Sequence, residues 1–259
     1  MNLWTLARRL GFSRKLTVQL CWEAIRRDMA ALQRSIRTAS IPEYFALQKQ
    51  VGHRAMLAAG LHTACRAWKQ YRRKGISEQV FWDTMGCFSR FMEETRVRFG
   101  EYRFDRGWWT WRQLELRLFR LGQLEYELCG TGDDLRVAMH IPSDADLSPE
   151  AVEASLAQAR AFVAQFYPRW ANTPFTCHSW LLSPALLPYL KPASHIRAFQ
   201  SRFRIESTDT DEACLQWLFA AKPDATLETL PEDTSLRRAV KAHLLSGGAI
   251  GQSRGTLEF

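Results

Sequence analysis

The chain has 259 residues, room for one large domain or two ordinary ones, and a formal net charge of +8. Hydrophobic residues make up 46% and charged residues 24%, a globular balance that excludes a disordered chain, a fibre and a disulfide miniprotein. The charge is uneven: residues 1–100 hold 18 Lys/Arg against 7 Asp/Glu, and residues 101–259 hold 17 against 20. This predicts two units, a basic 1–100 and a near-neutral 101–259. The Lys and Arg of the first are spread along the chain, so they read as a solvated helical face. Nucleic-acid binding is therefore the weaker alternative.

The first unit reads as helical. Val18, Trp22, Ile25, Met29, Leu32 and Ile36 step by four and three, which predicts one helix with these side chains facing the core. Ile41-Pro42 ends it. A second helix is expected over residues 43–74, bent at Gly52 or Gly60 and closed by Gly75 in a left-handed cap. Ser77 then caps a third, which carries Phe81, Met85, Phe88 and Met92 and stops near Gly100.

Beyond Gly100 the pattern changes. Residues 104–110 read as a loop. Residues 111–121 fit a helix through Leu114, Leu118 and Leu121, and equally a strand through Leu114, Leu116 and Leu118; a helix is the expectation. Residues 123–128 and 135–141 alternate around a Gly-Thr-Gly-Asp-Asp turn at 130–134, a β-hairpin signal. Ser148-Pro149-Glu150 opens a helix that runs to about Phe166. Residues 175–182 read as a buried strand and 199–207 contain another. Helices are expected at 212–221 and 235–245, and a last strand at 256–259. The fold class is α+β, a helical N-terminal domain followed by a mixed-sheet C-terminal one.

Six cysteines stand at 21, 65, 87, 129, 177 and 214, with no CxxC spacing, which predicts reduced thiols in a cytoplasmic protein. The N-terminus lacks an uninterrupted apolar core for a signal peptide, and no apolar run is long enough to span a membrane. Metal, P-loop and hydrolase templates are absent, so no metal is expected. The ten Trp cluster only at 108, 109 and 111.

Three stretches carry candidate chemistry. In residues 140–150, HIPSDADLSPE, a strand-end His140 precedes a polar loop and a helix start, where free N–H groups favour anions. His140 is a candidate general base, with Ser143 and Asp144 beside it. In residues 177–184, CHSWLLSP, strand alternation puts Cys177 and Ser179 on one face and His178 and Trp180 on the other, so adjacent residues do not form a nucleophile–base pair. Glu115, Glu125 and Glu127 lie among Arg112, Arg117 and Arg120, and read first as salt links.

WTWRQLELRLFRLGQLEYEL (109–128), HIPSDADLSPE and SWLLSP, together with GISEQVFWDTM (75–85), resemble a bacterial family of acyltransferase-domain proteins. In that family a helical N-acyltransferase-type domain precedes a GNAT-like domain. The resemblance covers about residues 20–255. It implies transfer of an acyl group from acyl-CoA, as co-substrate, to an unidentified small-molecule amine or similar nucleophile. Under it the catalytic candidates are His140, Ser143 and Asp144. The pocket candidates are Trp109, Trp111, Glu115, Glu125, Ser179 and Trp180. The phosphate loop of GNAT enzymes (Arg or Gln, two residues, Gly, one residue, Gly or Ala) is not found, and residues 252–255 copy only half of it. A non-catalytic binding or regulatory module of the same shape is therefore the alternative.

Overall fold

A computed structural model describes residues 1–258 and divides into two compact units, Met1–Arg120 and the residues from Leu121 onward. The division falls after the change of pattern at Gly100. The last residue of the strand expected at 256–259 lies outside the described residues.

The first unit is built of α1 (Leu3–Arg9), α2 (Arg14–Arg26), α3 (Met29–Thr38), α4 (Ile41–Val51), α5 (His53–Lys74), α6 (Glu78–Met85), α7 (Cys87–Phe99) and α8 (Gly107–Leu114). Helix α5 is the axis, touching α1 to α4, α6 and α8. Ala55 to Leu61 are buried on every side of it, as expected of a central helix.

Each of the three helices expected from periodicity is cut in two. Asp28 accepts from the Ala31 N–H at 2.9 Å and so starts a new helix where the stripe ran on. The two halves then face differently. Met29, Leu32 and Ile36 are buried, whereas Val18, Trp22 and Ile25 are 52%, 63% and 78% exposed. The core position expected for Trp22 is thus corrected, because 4-3 spacing specifies a common face only while the helix is unbroken. The second helix breaks at Gly52, whose φ of 89° is open to glycine, and not at Gly60. The third breaks at Gly86. The cap at Gly75 (φ 72°) and the stop at Gly100 (φ 79°) stand as expected. Residues 107–110, expected as loop, open α8.

After β1 (Leu118–Leu121), which straddles the division, the second unit carries β2 (Leu124–Cys129), β3 (Arg136–His140), β4 (Phe175–Ser179), β5 (Phe203–Thr208) and β6 (Ser253–Leu257), and the six form one sheet. Its order is β1-β2-β3-β4-β6-β5. The expected β2–β3 hairpin is present and antiparallel. Residues 111–121 resolve as the end of α8 plus β1, so helix and strand each hold part of the ambiguous stretch. The strand expected to Leu182 stops at Ser179 and continues as a 3-10 turn, Trp180–Leu182.

Helix α9 (Pro149–Phe166) connects β3 to β4, which run parallel. It packs on β2 through one sheet face, where Tyr126, Val137, Met139, Phe175 and Cys177 are buried. Helices α10 (His195–Gln200), α11 (Ala213–Phe219) and α12 (Ser235–Leu245) follow. The last two share a hydrophobic cluster with Trp180, Leu186 and Ile250. Among the described residues no helix is long and apolar enough to cross a membrane.

Candidate active site

The parallel pair positions the site. β3 and β4 are in register at Val137–Phe175, Ala138–Thr176 and Met139–Cys177, and among the described residues no pair follows. Each strand runs on with its other neighbour: His140 pairs with Glu125 of β2, and His178 and Ser179 pair with Arg254 and Ser253 of β6. The sheet therefore parts between β3 and β4 just past Met139 and Cys177. Local chemistry keeps it parted. Pro142 cannot extend β3 as a central strand, and Ser179 Oγ accepts from the Leu181 N–H at 3.1 Å, turning the chain out of β4.

Pairing and alternation put Glu125, Glu127, His140 and His178 on one face of the sheet, opposite the apolar face that meets α9. Glu125 and Glu127 are buried. His140 Nε2 lies 3.0 Å from Glu127 Oε2, a diagonal cross-strand contact. A carboxylate on one ring nitrogen fixes the orientation of the imidazole and leaves the other ring nitrogen to meet a substrate. His178 Nε2 lies 3.0 Å from Asp209 Oδ2. The other Asp209 oxygen accepts from the N–H groups of Asp211 at 2.9 Å and Gln252 at 3.1 Å. Those backbone bonds, that of Asp211 first, and then the one from His178 hold Asp209 below the usual carboxylate range.

Between β3 and α9, Ser143 and Asp144 are exposed. Asp146 accepts from Ser148 N at 2.8 Å and Ser148 Oγ at 2.9 Å, and its own N–H donates to Gln123 Oε1 at 3.0 Å. Ser148 thus spends its hydroxyl on Asp146 and makes no side-chain cap on α9. Asp144, Asp146 and Glu150 make the entry of α9 acidic, unlike a basic phosphate loop. Residues 252–255 are not such a loop either, since β6 begins at Ser253.

The structure brings His140, Ser143, Asp144 and Ser179 to the same end of the β3–β4 pair, with Glu125 on the adjacent strand. Trp180 leaves the strand and lies in the hydrophobic cluster of α11 and α12. Trp109 and Trp111 belong to α8 in the first unit, and Glu115 is its C-terminal cap residue. Arg112 stacks 4.0 Å from the Trp109 ring. Trp111 and Glu115 line a cavity of about 390 Å³ with Gln33, Arg34, Arg37 and Arg66, where Arg37 Nε meets Glu115 Oε1 at 2.8 Å. Sequence reasoning missed Asp209 as a partner. Its one local signal, an Asp-Thr-Asp turn after a strand, does not say which histidine it meets. Cys177 is fully buried, and burial pushes its thiol up to about 12, so it is no nucleophile. Among the described residues no group of His, Cys, Asp and Glu converges as a metal site.

Residues 118–257 match the model of the GNAT-like C-terminal domain, and residues 8–116 that of the N-acyltransferase N-terminal domain. The chain belongs to the GNAT-like family. The parted parallel strands of this GNAT-like domain are the feature on which the resemblance and the geometry meet. No curated protein sequence matches the chain. Among solved structures it is similar to an acyltransferase in complex with decanoyl-CoA and teicoplanin, at 24% identity over 98% of this chain and 87% of that one, TM-score 0.80. It is also similar to an acyltransferase mutant in complex with octanoyl-CoA, at 22% identity with the same coverage and TM-score 0.82. A third, in complex with CoA and 10C-teicoplanin, has 21% identity over 100% and 99% of the two chains, TM-score 0.72. At these identities the likeness is one of fold.

Proposed function

We propose that this protein transfers an acyl group from acyl-CoA to an amine or similar nucleophile on a small molecule. The observation that carries the reading is the parting of β3 from β4 with the carboxylate-held imidazole of His140 at its lip, in a chain of the GNAT-like family. In this reading an extended pantetheine arm lies along the opening beyond Met139 and Cys177, as an added strand would, with its thioester carbon beside His140. The incoming amine attacks this carbon, and His140 takes its proton while Glu127 holds the ring. Ser143, Asp144 and Ser179 supply polar groups at the same mouth. The solved acyltransferases with acyl-CoA and teicoplanin support the donor class and a small-molecule acceptor.

The setting that fits this donor is the cytoplasm, in keeping with six cysteines that form no disulfide with one another. Isothermal titration with CoA and octanoyl-CoA, followed by thiol release with a panel of amines, tests the reading. No heat at millimolar ligand together with no thiol release refutes it.

A further inference from the structure

We propose that His178, held by Asp209, is a second proton-transfer residue at the same opening. It protonates the departing CoA thiolate while His140 takes the proton of the incoming nucleophile. The proposal rests on the acyl-transfer reading and adds a step to it.

The register carries the argument. Met139 and Cys177 are the last paired residues of β3 and β4, so His140 and His178 are the next residues on either side of the opening. Alternation gives their side chains the same face. Each ring is bonded through Nε2 to a carboxylate at 3.0 Å, and the two carboxylates come from opposite directions. Glu127 stands on β2, outside β3. Asp209 follows β5, beyond β6. The two imidazoles are thus tethered to opposite sides of the gap that the thioester would occupy.

Nothing structural requires the second pair. The His178 and Asp209 side chains are 42% and 48% exposed, so neither fills the core. Yet Asp209 is fixed by two backbone N–H bonds before it receives His178. A carboxylate anchored in this way holds a ring in place with little freedom, which is what a proton donor needs and a solvated surface histidine does not. The charged groups sharing its face are Arg254, the β6 partner of His178, and Arg204 and Glu206 on β5, with Glu125, Glu127 and His140 across the opening.

The step balances. His140 acts as the proton acceptor and His178 as the proton donor. A C–N bond forms between the nucleophile and the acyl carbon, and the nucleophile's proton passes to His140. The C–S bond breaks, and the sulfur takes the proton from the His178 ring nitrogen turned away from Asp209. The products are the amide and the CoA thiol. A proton returning from His140 to His178 through solvent resets the pair.

The test measures thiol release from octanoyl-CoA with two nucleophiles, ethanolamine, which is protonated at neutral pH, and hydroxylamine, which is not. His140→Gln should lose about 100-fold in kcat with ethanolamine and recover much of it with hydroxylamine, which needs no base. His178→Gln should lose about 100-fold with both, because the leaving group is unchanged. Asp209→Asn should show the same pattern at about 10-fold, and it carries the comparison if His178→Gln lacks a native melting transition. An unimpaired His178 variant, or one restored by hydroxylamine as fully as His140→Gln, overturns this proposal alone. Wild-type protein that releases thiol with neither nucleophile overturns this proposal, and if it also gives no heat with octanoyl-CoA the acyl-transfer reading falls with it.

Discussion

Ser155 offers a sharp test of how the second unit is held. It is fully buried in α9, and its hydroxyl serves three groups of the β1–β2 hairpin. Oγ donates to Leu121 O at 2.5 Å, accepts from Leu124 N at 3.2 Å and lies 3.0 Å from Tyr126 Oη. A hydroxyl has one proton and two lone pairs. With its proton on Leu121 it must accept from Tyr126, whose phenol burial pushes up and keeps protonated. Ser155→Ala leaves a carbonyl, an N–H and a phenol without this partner. A buried group left unsatisfied costs about 1–3 kcal/mol, and alanine returns about 0.5 kcal/mol through helix propensity. With the three groups each at the low end of that range, less the return from alanine, the net expectation is a loss of about 2.5 kcal/mol. At about 3 °C per kcal/mol, that lowers the melting temperature of the unit by roughly 8 °C. Urea unfolding should show a lower midpoint at unchanged slope. A loss below about 0.5 kcal/mol would mean that water or relaxation replaces the hydroxyl, and the account of the α9–hairpin contact would fail.

The remaining expectations concern the site and its surroundings. Glu127→Gln keeps the shape of the His140 partner but not its charge, and should lower turnover about 10-fold while leaving the affinity for acyl-CoA unchanged, as measured by titration calorimetry. Cys177, with its thiol pushed up to about 12 and no exposure, should resist iodoacetamide at pH 8 in the native protein and react only after unfolding, read by mass spectrometry. Asp146 and Asp209 are held below the carboxylate range, each chiefly by a backbone N–H, that of Ser148 and that of Asp211. Folded values below unfolded ones mean that their stabilisation is complete above about pH 4 and is lost as the pH falls through the lowered values. A double Asn variant should therefore lose less stability than the parent on acidification, followed by circular dichroism. Because the α9 entry is acidic, recognition should rest on the pantetheine arm. Octanoyl-pantetheine should compete within about 10-fold of octanoyl-CoA, and a 1000-fold gap would place a strong phosphate site in the protein.

The acidic α9 entry also sharpens what the absent phosphate motif means. Its loss does not remove the groove, because the groove arises from β3 and β4 leaving each other to stay with β2 and β6. That is a property of strand pairing, independent of any glycine-rich string. It does remove the basic cradle, so under the proposed acyl transfer the affinity comes from the extended part of the donor.

Short-range features were legible in the chain. The Asn/Asp/Ser/Pro/Gly punctuation placed α9, α12, the β2–β3 hairpin and the Gly75 cap, because caps and tight turns are decided within a few residues. The uneven charge and the quoted motif strings gave a helical unit before an α+β one. The breaks at Asp28, Gly52 and Gly86 were not separable from continuous helices by periodicity, since a stripe continues in sequence even when the axis turns. Trp22 shows the consequence: it has the spacing of a core residue and lies in solvent. The site itself was half legible. His140 at a strand end over a helix start could be read locally. Its bond to Glu127, 13 residues away, and the bond of His178 to Asp209, 31 residues away, could not. Both depend on which strands become neighbours and in what register, and that is settled by burying the Tyr126–Met139–Cys177 face against α9 across the whole sheet.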